Sequence, residues 1–208
     1  MIDVKVFPVG IMSTNAYVVK DKDTNEVLLV DPGCENSTLT AYLDSLPKNS
    51  LKYILLTHGH FDHIGGVNFY KTRYNLKVVV SEDDEEFLFD PDLNLSSMFS
   101  KPLESIRADI ILSDGQELSL GNTKFYFMLT PGHTQGSGCF VFKDDNVIFS
   151  GDTLFYRSMG RTDFPTGDPK AMMESLHKLC SIEGDYTVYP GHDMSTTLQG
   201  ERENNPCL

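Results

Sequence analysis

Residues 57–63 read THGHFDH, three imidazoles and a carboxylate directly after the apolar run KYILL. Rings packed so closely repel one another when protonated, so a chain carrying them needs a fold that gives them a common task. On an extended stretch, residues two apart point the same way, so His58 and His60 can face a single ion while Gly59 lets the backbone turn closely. Asp62 and His63 stand at the start of a helix and point elsewhere, which lets the same few residues feed a second ion. Imidazoles and carboxylates without a thiolate suit zinc, manganese or iron. Such a set leaves coordination positions open, as a closed Cys-rich structural site does not.

The same pattern recurs. FYFMLT leads into PGHT, VIFS into GDT, and YTVY into PGHD, so four strand-like runs each end in a short segment holding His or Asp. Strand ends are where a rigid sheet can gather side chains from distant positions around one pocket. His133 and His192 can each complete one of two metal sites, and Asp152 can bridge both. A pair of divalent ions so held can carry a hydroxide at neutral pH, polarise a carbonyl and stabilise a leaving group. Taken singly, these segments have plainer readings: a Pro-Gly turn with a solvated histidine, or Asp152 as a turn residue. Their company with the first cluster selects the metal-site reading. His177, the one histidine outside these segments, is expected on the surface.

Alternating or β-branched runs predict strands at Val4 to Val9, Asn15 to Val19 and Glu26 to Val30, an opening antiparallel meander. A helix capped by Asn36 or Ser37 and carrying Leu39, Leu43 and Leu46 follows, then a buried strand over Leu51 to Thr57. A helix from about Asp62 to Tyr74 and a strand at Lys77 to Val80 come next. Past the acidic stretch Glu82 to Asp92, strands are expected at Asp109 to Leu112, Glu117 to Leu120, Lys124 to Thr130, Gly138 to Phe142, Val147 to Ser150 and Tyr186 to Tyr189. Helices fit Pro169 to Leu179 and Thr196 to Asn204. Strands, then helices, then the pattern again imply an α+β domain over residues 1–208, two packed sheets with helices outside in a four-layer αββα sandwich.

A net charge of -13 disfavours broad contact with nucleic-acid backbones or anionic membranes. Cys34, Cys139, Cys180 and Cys207 are scattered, without a C-x-x-C pair or the density of a disulfide framework, and read as reduced thiols. The start MIDVKVFPVG looks like a strand and not a signal peptide, so the expected location is cytoplasmic.

THGHFDH, TPGHT, SGDTLF, GRTDF and YPGHD, in that order and at these intervals, resemble the metallo-β-lactamase superfamily, and within it the glyoxalase II-like hydroxyacylglutathione hydrolase branch. The resemblance extends to the ending TTLQGERENNP. It implies His58, His60 and His133 on a first metal, Asp62, His63 and His192 on a second, and Asp152 between them, with zinc expected and iron or manganese as alternatives. It further implies a small thioester substrate such as S-lactoylglutathione, attacked by a bridging hydroxide that Asp62 and Asp152 position as catalytic residues. No other cofactor is implied. Longer members of the branch add a C-terminal helical domain that helps bind glutathione, whereas this sequence ends soon after its last candidate ligand, like compact bacterial members. Tyr156, Arg157, Arg161 and Asp163 follow the GDT segment and are candidates for a mouth that receives an anionic substrate, or for an Arg-Asp pair that holds a loop. Because one fold hosts many reactions, a mononuclear iron persulfide dioxygenase, a lactonase and a non-catalytic metal-binding regulator stay open at this point.

Overall fold

A computed structural model describes residues 1–99 and 101–208. The chain opens with the expected meander: β1 (Ile2–Val9), β2 (Thr14–Asp21) and β3 (Val27–Val30) pair antiparallel in sequence order. Helix α1 (Ser37–Asp44) starts where the Asn36 side chain accepts a hydrogen bond from the Leu39 amide, and it buries Leu39 and Leu43. Strand β4 (Leu51–Leu55) then lies parallel to β3.

The helix expected from Asp62 to Tyr74 is two helices, α2 (Phe61–Ile64) and α3 (Val67–Tyr74), broken at Gly65 and Gly66. The break is a packing effect. A side chain at Gly65 would meet the Gly33 carbonyl oxygen at 2.5 Å, and one at Gly66 the Pro32 carbonyl oxygen at 2.4 Å. The β3–α1 loop therefore presses on the chain here, and the Gly66 amide donates to the Pro32 carbonyl.

Strand β5 (Lys77–Ser81) runs into tight 3-10 turns over Glu82–Leu88, followed by the short helix α4 (Ser96–Phe99) and strand β6 (Ile110–Leu112). The first sheet thus has the order β1-β2-β3-β4-β5-β6, antiparallel through β3 and parallel from β3 to β6. Next come β7 (Glu117–Leu120), β8 (Thr123–Leu129), β9 (Gly138–Phe142), β10 (Val147–Gly151) and a two-residue hairpin of β11 (Leu154–Phe155) with β12 (Ser158–Met159). Helix α5 (Pro169–Cys180), strands β13 (Thr187–Pro190) and β14 (Thr196–Thr197), and helix α6 (Leu198–Asn204) complete the chain. The second sheet is ordered β14-β13-β10-β9-β8-β7, with β10 and β13 parallel.

Three apolar layers hold the sandwich together. Between the sheets, Tyr17, Leu28, Val30, Leu55 and Val79 of the first face Phe125, Phe127, Phe140, Phe142 and Phe149 of the second. On the outer face of the first sheet, Val18, Leu29, Ile54 and Val78 pack with Leu39 and Leu43 of α1 and Val67 and Tyr70 of α3. On the outer face of the second, Val141, Ile148 and Val188 pack with Met172, Leu176 and Leu179 of α5 and Leu198 of α6. The architecture is the αββα sandwich the strand and helix pattern implies. Among the described residues no helix is long and apolar enough to cross a membrane, and the four cysteines are unpaired.

Candidate metal centre

Strand direction decides where the polar segments meet. Strand β9 is antiparallel to both β8 and β10, so β8, β10 and β13 run the same way and end at the same edge of the second sheet. His133, Asp152 and His192 follow those ends, while His58, His60, Asp62 and His63 follow β4 in the first sheet. The side chains converge where the edges of the two sheets meet, beyond the carboxyl ends of the strands, the usual place for a site in such sheets.

All seven predicted residues lie in this one cluster. Their donor atoms form three groups within 4.8 Å: His58, His60 and His133; His58, His63 and Asp152; and Asp62, His63 and His192. Each group draws on both sheets. His60 Nδ1 is 2.9 Å from His133 Nε2, and His192 Nε2 is 3.3 Å from Asp62 Oδ2. Asp152 stands between, with Oδ1 3.4 Å from His63 Nε2 and Oδ2 3.5 Å from both His133 Nε2 and His192 Nε2. Gly191 makes this closeness possible, because a Cβ there would lie 2.1 Å from Asp152 Oδ1.

The donor set fits divalent ions. Buried polar atoms ordinarily find a hydrogen-bond partner. Here His58 Nε2, His60 Nε2 and Asp152 Oδ1 are buried among the described residues with none. Burial and the neighbouring histidines push His58 and His60 well below the usual imidazole range, which leaves their lone pairs free to ligate. Burial acts the same way on His63, but the carboxylates of Asp62, Asp152 and Asp31 outweigh it and raise that ring to about 10. The carboxylates thus favour positive charge on their side of the cluster.

Groups outside the predicted set orient the rings. Asp31, directly after β3, takes His63 Nδ1 at 3.0 Å and accepts from the Thr57 amide at 2.8 Å and the Thr57 hydroxyl at 2.6 Å. The Arg161 carbonyl oxygen lies 2.7 Å from His133 Nδ1, and the Thr14 hydroxyl donates to Asp62 Oδ2 at 2.9 Å. These contacts turn Nε2 of His63 and His133 toward the cluster, the way outer groups commonly fix ligand tautomers. Asp84, after β5, is fully buried and accepts from the Gly59 amide at 2.9 Å, the Thr134 hydroxyl at 2.8 Å and the Gly136 amide at 2.8 Å. Burial raises its carboxyl to about 6 against the pull of those donors. Asp31 follows an apolar run, as the predicted residues do, and that shared pattern was a usable signal. Asp84 lies inside the acidic stretch SEDDEE, where nothing local distinguishes it from its neighbours.

The cluster opens on a pocket of about 480 Å³ that reaches His60, Asp62, His133, Asp152 and His192. Of the residues expected at its mouth, Arg161 lines it, with Asp163 paired to the guanidinium at 2.6 and 2.7 Å. Arg157 does not: its backbone and side chain bond to Glu201 and Asn204 of α6, away from the pocket. Tyr156 is exposed and its ring lies beside Arg157. His177 is an exposed residue of α5, as expected.

Known proteins share both sequence and shape with this chain. The hydroxyacylglutathione hydrolase GloC of Haemophilus influenzae is 32% identical over 99% of this chain and 98% of its own. The crystal structure of BLEG-1 B3 metallo-β-lactamase superposes with a TM-score of 0.91 at 35% identity, covering 98% of both chains. TTHA1623 in a di-iron-bound form superposes with a TM-score of 0.85 at 33% identity, covering 98% of this chain and all of the other. Residues 9–192, which span the whole cluster, match the sequence model of one family, and the chain belongs to that family, the metallo-β-lactamase superfamily.

Proposed function

We propose that this metallohydrolase cleaves small thioesters at a dinuclear centre held by His58, His60 and His133 on one side and Asp62, His63 and His192 on the other, with Asp152 shared. The observation that carries the reading is Asp152, whose two oxygens reach histidines of both groups at the floor of an open pocket. Bound there, two divalent ions supply Lewis acidity toward a carbonyl and a water of lowered pKa. Zinc suits the donor set, and the related TTHA1623 has been crystallised in a di-iron-bound form. The likeness to GloC, a hydroxyacylglutathione hydrolase by name, supports a thioester as the bond that is cleaved.

The chain's own residues do the rest. Burial opposes ionisation of Asp62, but His63, His192 and Thr14 outweigh it and keep the carboxyl ionised, and Thr14 and His192 hold its Oδ2 in place, so it can accept a hydrogen bond from an attacking water and orient it on the pocket floor. Asp31 and the Arg161 carbonyl fix the rings of His63 and His133. A thiolate departs without needing a proton, and the pocket wall offers no buried acid beyond the candidate ligands among the described residues. That favours a thioester over an unactivated amide, whose amine must be protonated on leaving. The acidic chain suits a small-molecule substrate in the cytoplasm better than nucleic acid or a membrane.

A second reading, oxidation of a persulfide at one iron, draws on the fact that His58, His60 and His133 form a complete group by themselves. Metal analysis and S-lactoylglutathione hydrolysis in one sample separate the two. Close to two metal equivalents with turnover supports the thioesterase. One iron, no turnover and oxygen uptake with glutathione persulfide would replace it with the oxygenase.

A further inference from the structure

The mouth of the site is built for an apolar group. On one side the rings of Phe61, Phe99 and Phe164 form a continuous wall: Phe61 stacks on Phe99 at 5.8 Å, Phe99 meets Phe164 edge-on at 6.1 Å, and Phe164 meets His60 at 5.8 Å. On the other side Phe155 meets His192 at 6.2 Å. The apolar walls therefore flank one candidate ligand from each metal group. Leu95, Met12 and Met159 add to the apolar lining, and Met12 and Phe99 are 50% and 47% exposed to solvent. Folding alone does not account for large apolar side chains held open around a cleft, whereas a ligand that covers them does.

Charge points the same way. Among the described residues, Arg161 is the one Lys or Arg that lines the pocket, and two of its donors already engage Asp163 while its plane lies 4.0 Å over Phe164. The remaining charged groups there are carboxylates, Asp193 included. A glutathione moiety brings two carboxylates and an ammonium, and carboxylates taken from water need charged or hydrogen-bonding partners. Among the described residues, and apart from the candidate ligands, the side chains lining the pocket offer only the remaining Arg161 donors and the Ser158 hydroxyl for two such groups.

We infer that the group recognised at the mouth, on the acyl side or on the thiol side of the scissile bond, is aromatic or branched aliphatic, and that the glutathione tripeptide is not what this pocket selects. The inference rests on the hydrolase reading for the position of that bond, but its test reads binding and not turnover. The chain contains no tryptophan, so Phe99→Trp places a single reporter in the wall. The zinc-loaded variant is titrated with two pairs of product-like probes followed by tryptophan emission: 2-phenylethanethiol against glutathione, and phenylacetate against acetate. The pairs share a thiol and a carboxylate head group respectively and differ in the tail.

At least one phenyl probe should saturate at a concentration about tenfold or more below its polar partner, the effect of removing roughly 55 Å² of apolar surface from water. Which pair shows the difference identifies the side of the bond that enters the apolar mouth. Adding Phe164→Ala should erase the difference. Polar partners that bind as well as or better than both phenyl probes would overturn the inference, and so would a phenyl advantage that survives Phe164→Ala. Absence of thioester hydrolysis in the parent protein would sink the proposed reaction and leave the binding result standing.

Discussion

Asp84→Ala should loosen the first group of candidate ligands and destabilise the fold, although Asp84 is not itself in that group. Its carboxylate ties the segment between His58 and His60, through the Gly59 amide, to the segment just after His133, through Thr134 and Gly136. Truncation leaves three donors without their acceptor. The Thr134 hydroxyl has Ser137 Oγ at 2.7 Å as a second partner, so the lasting loss falls on the two backbone amides. A buried donor left unpaired costs about 1–3 kcal/mol, so two of them cost roughly 2–6 kcal/mol, with the low end applying if water fills the space. For a chain of this size, that lowers Tm by about 4–24 °C.

The assay is a circular-dichroism melt of the metal-free protein, paired with the metal content of protein reconstituted in excess zinc and then desalted. Content should fall from about two equivalents toward one as the first group weakens. Asp84→Asn should recover only part of the loss, because its carbonyl can serve Gly59 and Thr134 while its amide turns donors toward the Gly136 amide. An Asp84→Ala protein that melts within about 1 °C of the parent and keeps its full metal content would refute the reasoning.

Asp152→Ala should lower metal content and abolish hydrolysis; a variant with normal activity would remove Asp152 from the site. Gly191→Ala should displace Asp152 and His63, since the added Cβ would stand 2.1 Å from Asp152 Oδ1 and 2.7 Å from His63 Cε1, and reconstitution with zinc should then yield at most about one equivalent. Full loading of that variant would show that the backbone yields there. At Asp21, burial raises the carboxyl, but hydrogen bonds from Thr24, Thr123, Asp23 and Asn122 outweigh it and lower the group to about 2. The folded state therefore binds fewer protons than the unfolded one between about pH 4 and pH 2, and stability from this group is lost as pH falls through that window. Urea midpoints for Asp21→Asn should fall less steeply than those of the parent from pH 4 to pH 3; an equal slope would assign the acid sensitivity elsewhere.

Strand positions and the membership of the His/Asp cluster were legible because both rest on local signals. A period-two or β-branched run ending in His or Asp marks a strand end, and parallel strands in one sheet bring such ends to one edge. What was not legible depends on partners far along the chain. The break between α2 and α3 comes from the Pro32 and Gly33 carbonyls, and a helical pattern across Asp62 to Tyr74 contains no trace of them. Asp31 and Asp84 act on the loop after β4 because β3 and β5 flank that strand, an order that pairing fixes and composition does not. Arg157 and Arg161 are equivalent candidates in sequence. They separate only because the β11–β12 hairpin, too short to predict, turns the chain between them so that Arg157 reaches α6.

Because each group of candidate ligands spans both sheets, metal capture is tied to the order in which the chain is made. Residues 58–63 leave the ribosome early, but the group with His60 is incomplete until His133 has emerged and the group with Asp62 until His192 has. A nascent chain holding only the first sheet offers an ion a fragment of either site, and closing the long intervening loops works against binding until the sheets have packed. Tight capture of two ions is thus reserved for a nearly finished domain, and a pair that stays bound would report that the two halves have met.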